Sequence, residues 1–270
     1  MPELPEVETT VRGLARFLDG EILTRVFVSR PDMRFPFPPD LVQALTGARI
    51  TGLGRRAKYG LIHTDRARVM IFHLGMSGRW RIEPDEIGRH DHLVMETACH
   101  RFALHDPRRF GWVDLADEAA LSNWPGFAAL GPEPLGDALT AHYLHAAVRG
   151  RKQAIKLLLL DQRIVAGLGN IYVCEALYRA GISPTRAGGR VSLAAMERLV
   201  PAIRQVLAES IEAGGSTLRD YARPDGELGY FAASFDVYGR EGEPCRACAS
   251  PIRRTAQGGR STWYCGKCQK

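Results

Sequence analysis

Apolar residues recur every three or four positions early in the chain, at Val7, Val11, Leu14, Phe17 and Leu18. That is the spacing of one helix face, and Gly20 supplies a stop, so the pattern predicts a helix over 6–18. Pro5, Glu6 and Glu8 suit its first turn, where a missing N–H is harmless and acids meet the positive end of the helix dipole. Pro2 is not explained this way. Residues 21–115 then change period. Short runs such as EILTRVFVS, ARITGLGR, GLIHTD, RVMIFHLG, HLVMET and HRFALHD are broken by Gly, Pro and Asp. Six or more short strands at this spacing predict a sandwich or a barrel. PDMRFPFPPD, at 31–40, reads as a proline-rich loop.

From about residue 117 the period becomes helical. ADEAALSNW, LTAHYLHAAVRG, KQAIKLLLLDQ, NIYVCEALYRAG and SLAAMERLVPAIRQVLAESIEAGG all carry it. Residues 216–240 are polar, bear glycine and show no clear period. The chain is therefore read as multidomain α+β. A β-rich domain with a leading helix covers 1–116, a linker 117–136, a helical domain 137–239 and a metal ribbon 240–270.

The ribbon rests on cysteine spacing. Cys245, Cys248, Cys265 and Cys268 form C-x2-C-x16-C-x2-C. This is the spacing of a four-thiolate site and predicts one structural Zn2+. Two disulfides are the alternative, disfavoured by a reducing cytosol. Cys99 and Cys174 have apolar neighbours and are read as buried thiols.

Composition narrows the function classes. Hydrophobic residues make up 45% of 270, enough for a sizeable core and against wholesale disorder. The first ten residues are acidic, unlike a signal peptide, and no apolar run approaches the roughly 18 residues of a membrane span. A cytosolic protein without a membrane partner is expected. Net charge is +6, with a pI near 9.1, which permits a polyanionic partner. The charge is uneven: residues 240–270 hold seven Lys or Arg against two acids. Four thiolates around one zinc add about −2, so the ribbon stays positive and suits phosphate.

Several segments carry chemistry. If Met1 is removed, Pro2 presents a secondary amine. An ordinary α-amino group titrates near 7.7–8, so part of it is neutral and nucleophilic at physiological pH. Its attack on a sugar C1′ gives a charged iminium, an electron sink for elimination, with Glu3 beside it as acid or base. HLGMSG (73–78) sets Met76 between glycines on a tight loop, like an apolar wedge for base steps. HDPRRFGW (105–112) crowds Arg108, Arg109 and Phe110 at a turn, offering a donor fork and a stacking face. RRAKYG places Lys58 in a strand-like context, and RGRKQAIK forms a second basic cluster at a helix start. GLGNIYVCE sets Asn170 at a helix N-terminus, able to cap it and to donate to phosphate. GGRSTWYC puts Arg260 on a hairpin tip between the two cysteine pairs.

Taken together, PELPEVET, RRAKY, HLGMSG, DPRRFG, VAGLGNIYVCEAL, DGELGYF, VYGREGEPC and GGRSTWYC, in that order, resemble the formamidopyrimidine-DNA glycosylase family over essentially the whole chain. The resemblance implies an N-terminal β-sandwich with a leading helix. It also implies a C-terminal domain with a helix–two-turn–helix and a zinc ribbon, with double-stranded damaged DNA in the cleft between. By position it implies Pro2 as nucleophile, Glu3 as acid, and Lys58 and Arg260 as the phosphate-contacting residues tied to elimination. Always-charged Arg is a poor proton donor, and a phosphate clamp is the easier role to defend. Met76, Arg108 and Phe110 match the duplex wedge. His90, Arg109, Arg151, Lys152 and Asn170 match DNA contacts. Ser216, Leu218, Arg219, Asp220 and Tyr221 match a loop that closes over the everted lesion. The chain differs from common family residues at Tyr59-Gly60, where a larger apolar residue is usual, and at Ala232, where Gln is frequent.

The implied activity is that of a bifunctional glycosylase and AP lyase for oxidised purines, a bacterial, nucleoid-associated monomer needing no small-molecule cofactor. An endonuclease VIII-like relative preferring oxidised pyrimidines stays open, as does a zinc-ribbon DNA binder without catalysis. The DGELGYF and DPRRFG segments favour the first over the second, and the intact Pro2-Glu3 pair disfavours the third. A zinc hydrolase is excluded, because four cysteines close the coordination sphere.

Overall fold

The computed structural model describes residues 2–216 and 231–270. Among these, residues 2–128 with 213–216 form one compact unit, and 129–212 with 231–270 form the other.

The first unit opens with helix α1, Leu4–Leu18, whose Val7, Val11, Leu14 and Leu18 are buried as the spacing requires. The helix starts two residues before the predicted position because Glu3 and Glu6 make a capping box. The Glu3 N–H donates to Glu6 Oε2 at 2.8 Å, and the Glu3 carboxylate accepts in return from the Glu6 N–H. Eight strands follow: β1 Arg25–Val28, β2 Ile50–Arg56, β3 Tyr59–Thr64, β4 Arg68–His73, β5 Arg79–Ile82, β6 Asp91–Glu96, β7 Arg101–His105 and β8 Trp112–Asp117. A short helix α2, Leu41–Leu45, interrupts them and was not foreseen. The strands form two four-stranded antiparallel sheets, ordered β1-β6-β7-β5 and β2-β3-β4-β8. Their inner faces share one core, in which the Phe72 and Trp80 rings meet edge-on at 5.6 Å. This is a sandwich, so the barrel alternative falls.

Strand β4 is buried on both faces. Met70 and Phe72 point into the core, while Val69 and Ile71 lie on the outer face under Trp112, Trp124 and Phe127. The cover comes from residues expected to be linker. A 3-10 turn at Glu118–Asn123 and helix α3, Pro125–Ala128, dock there, and Trp124 Nε1 donates to Asp114 Oδ2 at 2.8 Å. Cys99 is exposed in the β6–β7 turn, against the buried thiol expected, because a turn tip outweighs its apolar neighbours; Cys174 is buried.

The second unit holds α4 Ala141–Val148, α5 Ile155–Leu159, α6 Asn170–Arg179 and α7 Leu193–Glu212, then the hairpin β9 Arg253–Gln257 and β10 Arg260–Tyr264. Two successive turns separate α5 from α6. Residues 131–139 are fixed here: Arg204 donates to the carbonyls of Pro134, Gly136 and Leu139, and Gly131 N–H donates to Gln162 O. The expected linker thus divides, one part belonging to each unit.

Candidate active site and metal centre

Strand register decides which loops emerge together. Arg56 pairs with Tyr59, Tyr59 with His73, and His73 with Trp112, so the β2–β3 turn, the end of β4 and the start of β8 share one edge. In the other sheet His105 pairs with both Arg79 and Asp91. The β4–β5 and β7–β8 loops cross between the sheets, so both ends coincide. One end of the sandwich therefore carries Lys58, His73, Met76, His90, Arg108, Arg109 and Phe110. Helix α1 runs antiparallel to β2, with Gly20 N–H on Ile50 O at 3.0 Å and Glu8 Oε2 on Arg55 Nε at 2.8 Å. Its N-terminus, with buried Pro2 and Glu3, points toward that same end. Lys58 is not strand-like as expected. It is buried in the two-residue β2–β3 turn, after Ala57 at φ 51°.

The two tip loops are locked together. Gly75 has φ +62°, and a Cβ there would come within 2.3 Å of the Phe110 backbone. Asp106, fully buried, ties both loops. Its Oδ1 accepts from Ser77 Oγ at 2.7 Å and Arg108 N–H at 3.3 Å, and its Oδ2 accepts from Gly111 N–H at 2.8 Å. Its own N–H donates to His90 O at 2.9 Å. Met76 (37% exposed) and Phe110 (41%) are thus held outward, and the Arg108 guanidinium lies 4.9 Å over the Phe110 ring. Arg109 has φ 55°, a conformation L residues rarely adopt. His73 is stacked on Trp112, and its Nδ1 accepts from Gly75 N–H at 3.0 Å. Burial, then the charges of Lys58 and Arg34, push its pKa down to about 4. The ring is therefore neutral near pH 7 and acts as an acceptor for the tip loop.

Glu6 does more than favour a helix dipole. Its Oε1 accepts from Ser216 N–H at 3.0 Å and Ser216 Oγ at 2.7 Å, so it joins the helix start to the segment leading toward the expected lesion loop. Leu218, Arg219, Asp220 and Tyr221 lie outside the described residues. At Gly60 an added Cβ would collide with the Phe72 ring at 2.1 Å, so Phe72 fills the space a larger residue would take.

In the second unit, Arg151 and Lys152 are exposed just ahead of α5. Lys156 is not part of that surface cluster. It is fully buried, and its Nζ donates to Ser261 O at 3.1 Å and Thr262 Oγ1 at 2.6 Å. Contrary to expectation, Asn170 does not cap α6; Gly169 is the N-cap. Asn170 Nδ2 is instead committed to Ser261 O at 2.9 Å, so two donors hold the carbonyl next to Arg260. Arg260 itself is exposed beside a turn whose Gly258 and Gly259 both have positive φ, as a two-residue hairpin of this kind requires. Helix α6 holds the ribbon at two further levels. Buried Glu175 accepts from the N–H groups of Asp236, Val237 and Tyr238, and Tyr178 Oη lies 3.2 Å from Cys245 Sγ.

The four ribbon thiols converge, with every Sγ within 4.8 Å of the others. Two of the separations are 3.9 Å and 3.5 Å. Tetrahedral zinc with about 2.3 Å bonds sets sulfur atoms about 3.8 Å apart, so the donor set fits. All six cysteines are free of disulfides. Cys245, Cys248, Cys265 and Cys268 are the ligands of one structural zinc.

Comparison with known proteins matches this geometry. Residues 1–113 match the formamidopyrimidine-DNA glycosylase N-terminal domain, 130–222 its H2TH domain, and 242–270 the zinc finger found in FPG and IleRS. The chain belongs to the formamidopyrimidine-DNA glycosylase family. A relative from Erythrobacter litoralis, named formamidopyrimidine-DNA glycosylase, is 72% identical over the full length of both chains. The crystal structure of MutM (Fpg) from Thermus thermophilus superposes with a TM-score of 0.90 at 39% identity, covering 99% of this chain and 98% of that one. A Lactococcus lactis Fpg mutant in complex with Fapy-dG-containing DNA superposes at 0.93 and 32% identity over all of both chains. The H2TH domain match spans helices α4 to α7.

Family membership explains why the sequence reading located the exposed tips and the thiols. It missed what Glu6, Asp106, Lys156 and Glu175 hold, since each is a buried polar group with at least one partner distant in sequence. Asp106 left a trace as the turn-initiating Asp-Pro pair, and Glu6 as an acid in the first helical turn.

Proposed function

We propose that this protein is a bifunctional DNA glycosylase and AP lyase that excises oxidised purines, 8-oxoguanine and formamidopyrimidines, from duplex DNA in base excision repair. The observation that supports it most is the single sandwich end that carries buried Pro2 and Glu3 toward Lys58 and the outward-held Met76 and Phe110. Flipping a base from the stack costs a few kcal/mol, and an apolar wedge left in the gap offsets that cost. Met76 and Phe110 supply the wedge, and Arg108 faces the orphaned base. The Pro2 amine attacks C1′ as the damaged base departs, with Glu3 assisting departure and ring opening. The resulting iminium acidifies the C2′ proton. Its loss breaks the C3′–O bond, and a second elimination breaks the C5′–O bond, giving β,δ-cleavage. Lys58 and Arg260 act as phosphate clamps, with His90, Arg109, Arg151, Lys152 and Asn170 as further DNA contacts. Leu218 to Tyr221 with Ser216 read the everted base.

In this reading the protein acts as a monomer on double-stranded damaged DNA in the bacterial cytoplasm, at the nucleoid. Among the described residues no helix is long and apolar enough to cross a membrane. The test is to incubate the protein with a duplex holding 8-oxoguanine opposite cytosine, add borohydride, and locate the adduct by mass spectrometry. An adduct on the Pro2 amine is expected. No adduct, in protein with a verified N-terminal proline, would overturn the lyase mechanism. A lesion panel separates oxidised-purine from oxidised-pyrimidine preference.

A further inference from the structure

We infer that the proline-rich loop at 31–36 is a third DNA-facing element, with Phe35 and Arg34 pressing on the duplex beside the Met76–Phe110 wedge. The inference rests on the function proposed above.

The loop is braced internally and fastened to the wedge. Asp32 bridges to Pro36 across the loop, and Met33 N–H donates to Phe35 O at 3.0 Å. Arg34 N–H donates to Gly111 O at 3.1 Å, directly behind Phe110. Asp32 Oδ1 pairs with Arg109 at 3.3 Å. Buried Met33 anchors the loop in the core. Its position is therefore set by the same loop that carries Phe110.

What this frame displays is an exposed aromatic ring. Phe35 is 54% exposed, more than Met76 or Phe110, and more than any other large apolar side chain among the described residues. Its ring touches Trp112 only edge-on, at 6.3 Å, and the Arg34 guanidinium lies 5.6 Å from its centre. Prolines at 31 and 36 limit the loop's freedom to fold the ring inward. Arg34 has no carboxylate partner among the described residues. It lines, with Met33, His73, Met76, Arg108 and Phe110, one open groove of about 620 Å³. The segments 30–36 and 107–111 together carry Arg30, Arg34, Arg108 and Arg109 against Asp32 alone. A positive, apolar-tipped surface continuous with the wedge fits a phosphodiester strand, with Arg34 on a phosphate and the Phe35 ring on the adjoining sugar.

The test uses full-length, zinc-loaded protein and a duplex holding a tetrahydrofuran abasic analogue opposite cytosine, with affinity read by fluorescence anisotropy across a salt series. Arg34→Ala is expected to flatten the slope of log K against log salt by about 0.9, one phosphate contact. Phe35→Ala is expected to weaken binding about tenfold, a base- or sugar-stacking loss, and Phe35→Trp to restore it. The thermal midpoint should stay at the wild-type value in all three. Wild-type affinity and slope in both alanine variants would overturn the inference and leave the glycosylase reading intact. A Phe35→Ala loss that tracks a fall in midpoint would also overturn it, showing packing. Failure of the wild type itself to prefer the damaged duplex would instead remove the parent reading.

Discussion

The tip end of the sandwich and the β9–β10 hairpin both hold side chains out on short loops, by different means. At the sandwich end, Met76 and Phe110 stand on a large apolar core that includes Phe72, Leu74, Trp80 and Leu104, and the buried carboxylate of Asp106 ties together the two loops that carry them. The ribbon has little apolar interior: Val237 and Ile252 are buried there with Cys174, Cys245 and Cys265. It relies on a metal for cohesion and on donors from α5 and α6, buried Lys156 and half-buried Asn170, for aim. A module too small to bury enough surface needs a cross-link, and then needs outside contacts to set its direction.

The largest test of this contrast is metal removal. Zinc contributes about 10 kcal/mol or more to the folding of small ribbon modules. Chelation is expected to erase hydrogen-exchange protection across β9 and β10 and abolish duplex binding, while β6 and β7 keep theirs. Full DNA binding by metal-free protein would break the comparison. The matching test at the other end is Asp106→Ala. It leaves Ser77, Arg108 and Gly111 donors without their acceptor, at a cost of about 3 kcal/mol. Thermal unfolding should show that loss, and excision from a paired duplex should fall by about tenfold or more. Zinc content, read by metal analysis, should not change; a coupled loss of zinc would mean the two regions are not separately held.

The third test uses pH. The folded-state pKa of His73 is depressed to about 4 from an ordinary 6.5. Its neutral form thus contributes stability that is whole above pH 6.5 and is lost as pH falls toward 4. The loss reaches about 2 kcal/mol at pH 5. Denaturant titrations at pH 7 and pH 5 should show it, and His73→Gln should remove most of the difference. An unchanged pH response in the variant would place the acid sensitivity elsewhere. Smallest is Lys156→Met. It removes a buried charge along with the hydrogen bonds to Ser261 O and Thr262 Oγ1, so the net change should be about 1 kcal/mol. Zinc should stay bound, but cleavage of a pre-formed abasic site should slow by about threefold as Arg260 loses its aim. Wild-type cleavage would mean Asn170 alone suffices.

Much of this was legible in the sequence, and the reason differs by region. Helix α1 and the inner faces of the strands follow from apolar spacing, and the metal ligands from cysteine spacing, because both are local periodicities. The sandwich, rather than a barrel, depends on which strands pair, and spacing alone leaves that open. The tips were readable because glycine and proline mark loops and because Met, Arg and Phe are conspicuous there. Asn170 was misread as a cap because its partner, Ser261, is ninety-one residues away. Lys156 was counted with its charged neighbours for the same reason. Buried polar groups leave a sequence mark only when they also shape a turn or a helix start, as Asp106 and Glu6 do.

The exposed Cys99 gives a practical opening. It sits in the β6–β7 turn, just past the Glu96–Arg101 pair, at the end of the sheet opposite the Asp91–His105 pair. In the zinc-loaded protein the four clustered ribbon thiols serve as ligands, and Cys174 is buried. A maleimide dye or a surface tether would therefore attach at Cys99 without added mutations, facing away from Lys58, Met76 and Phe110. The native chain comes supplied with a handle for watching single molecules scan DNA.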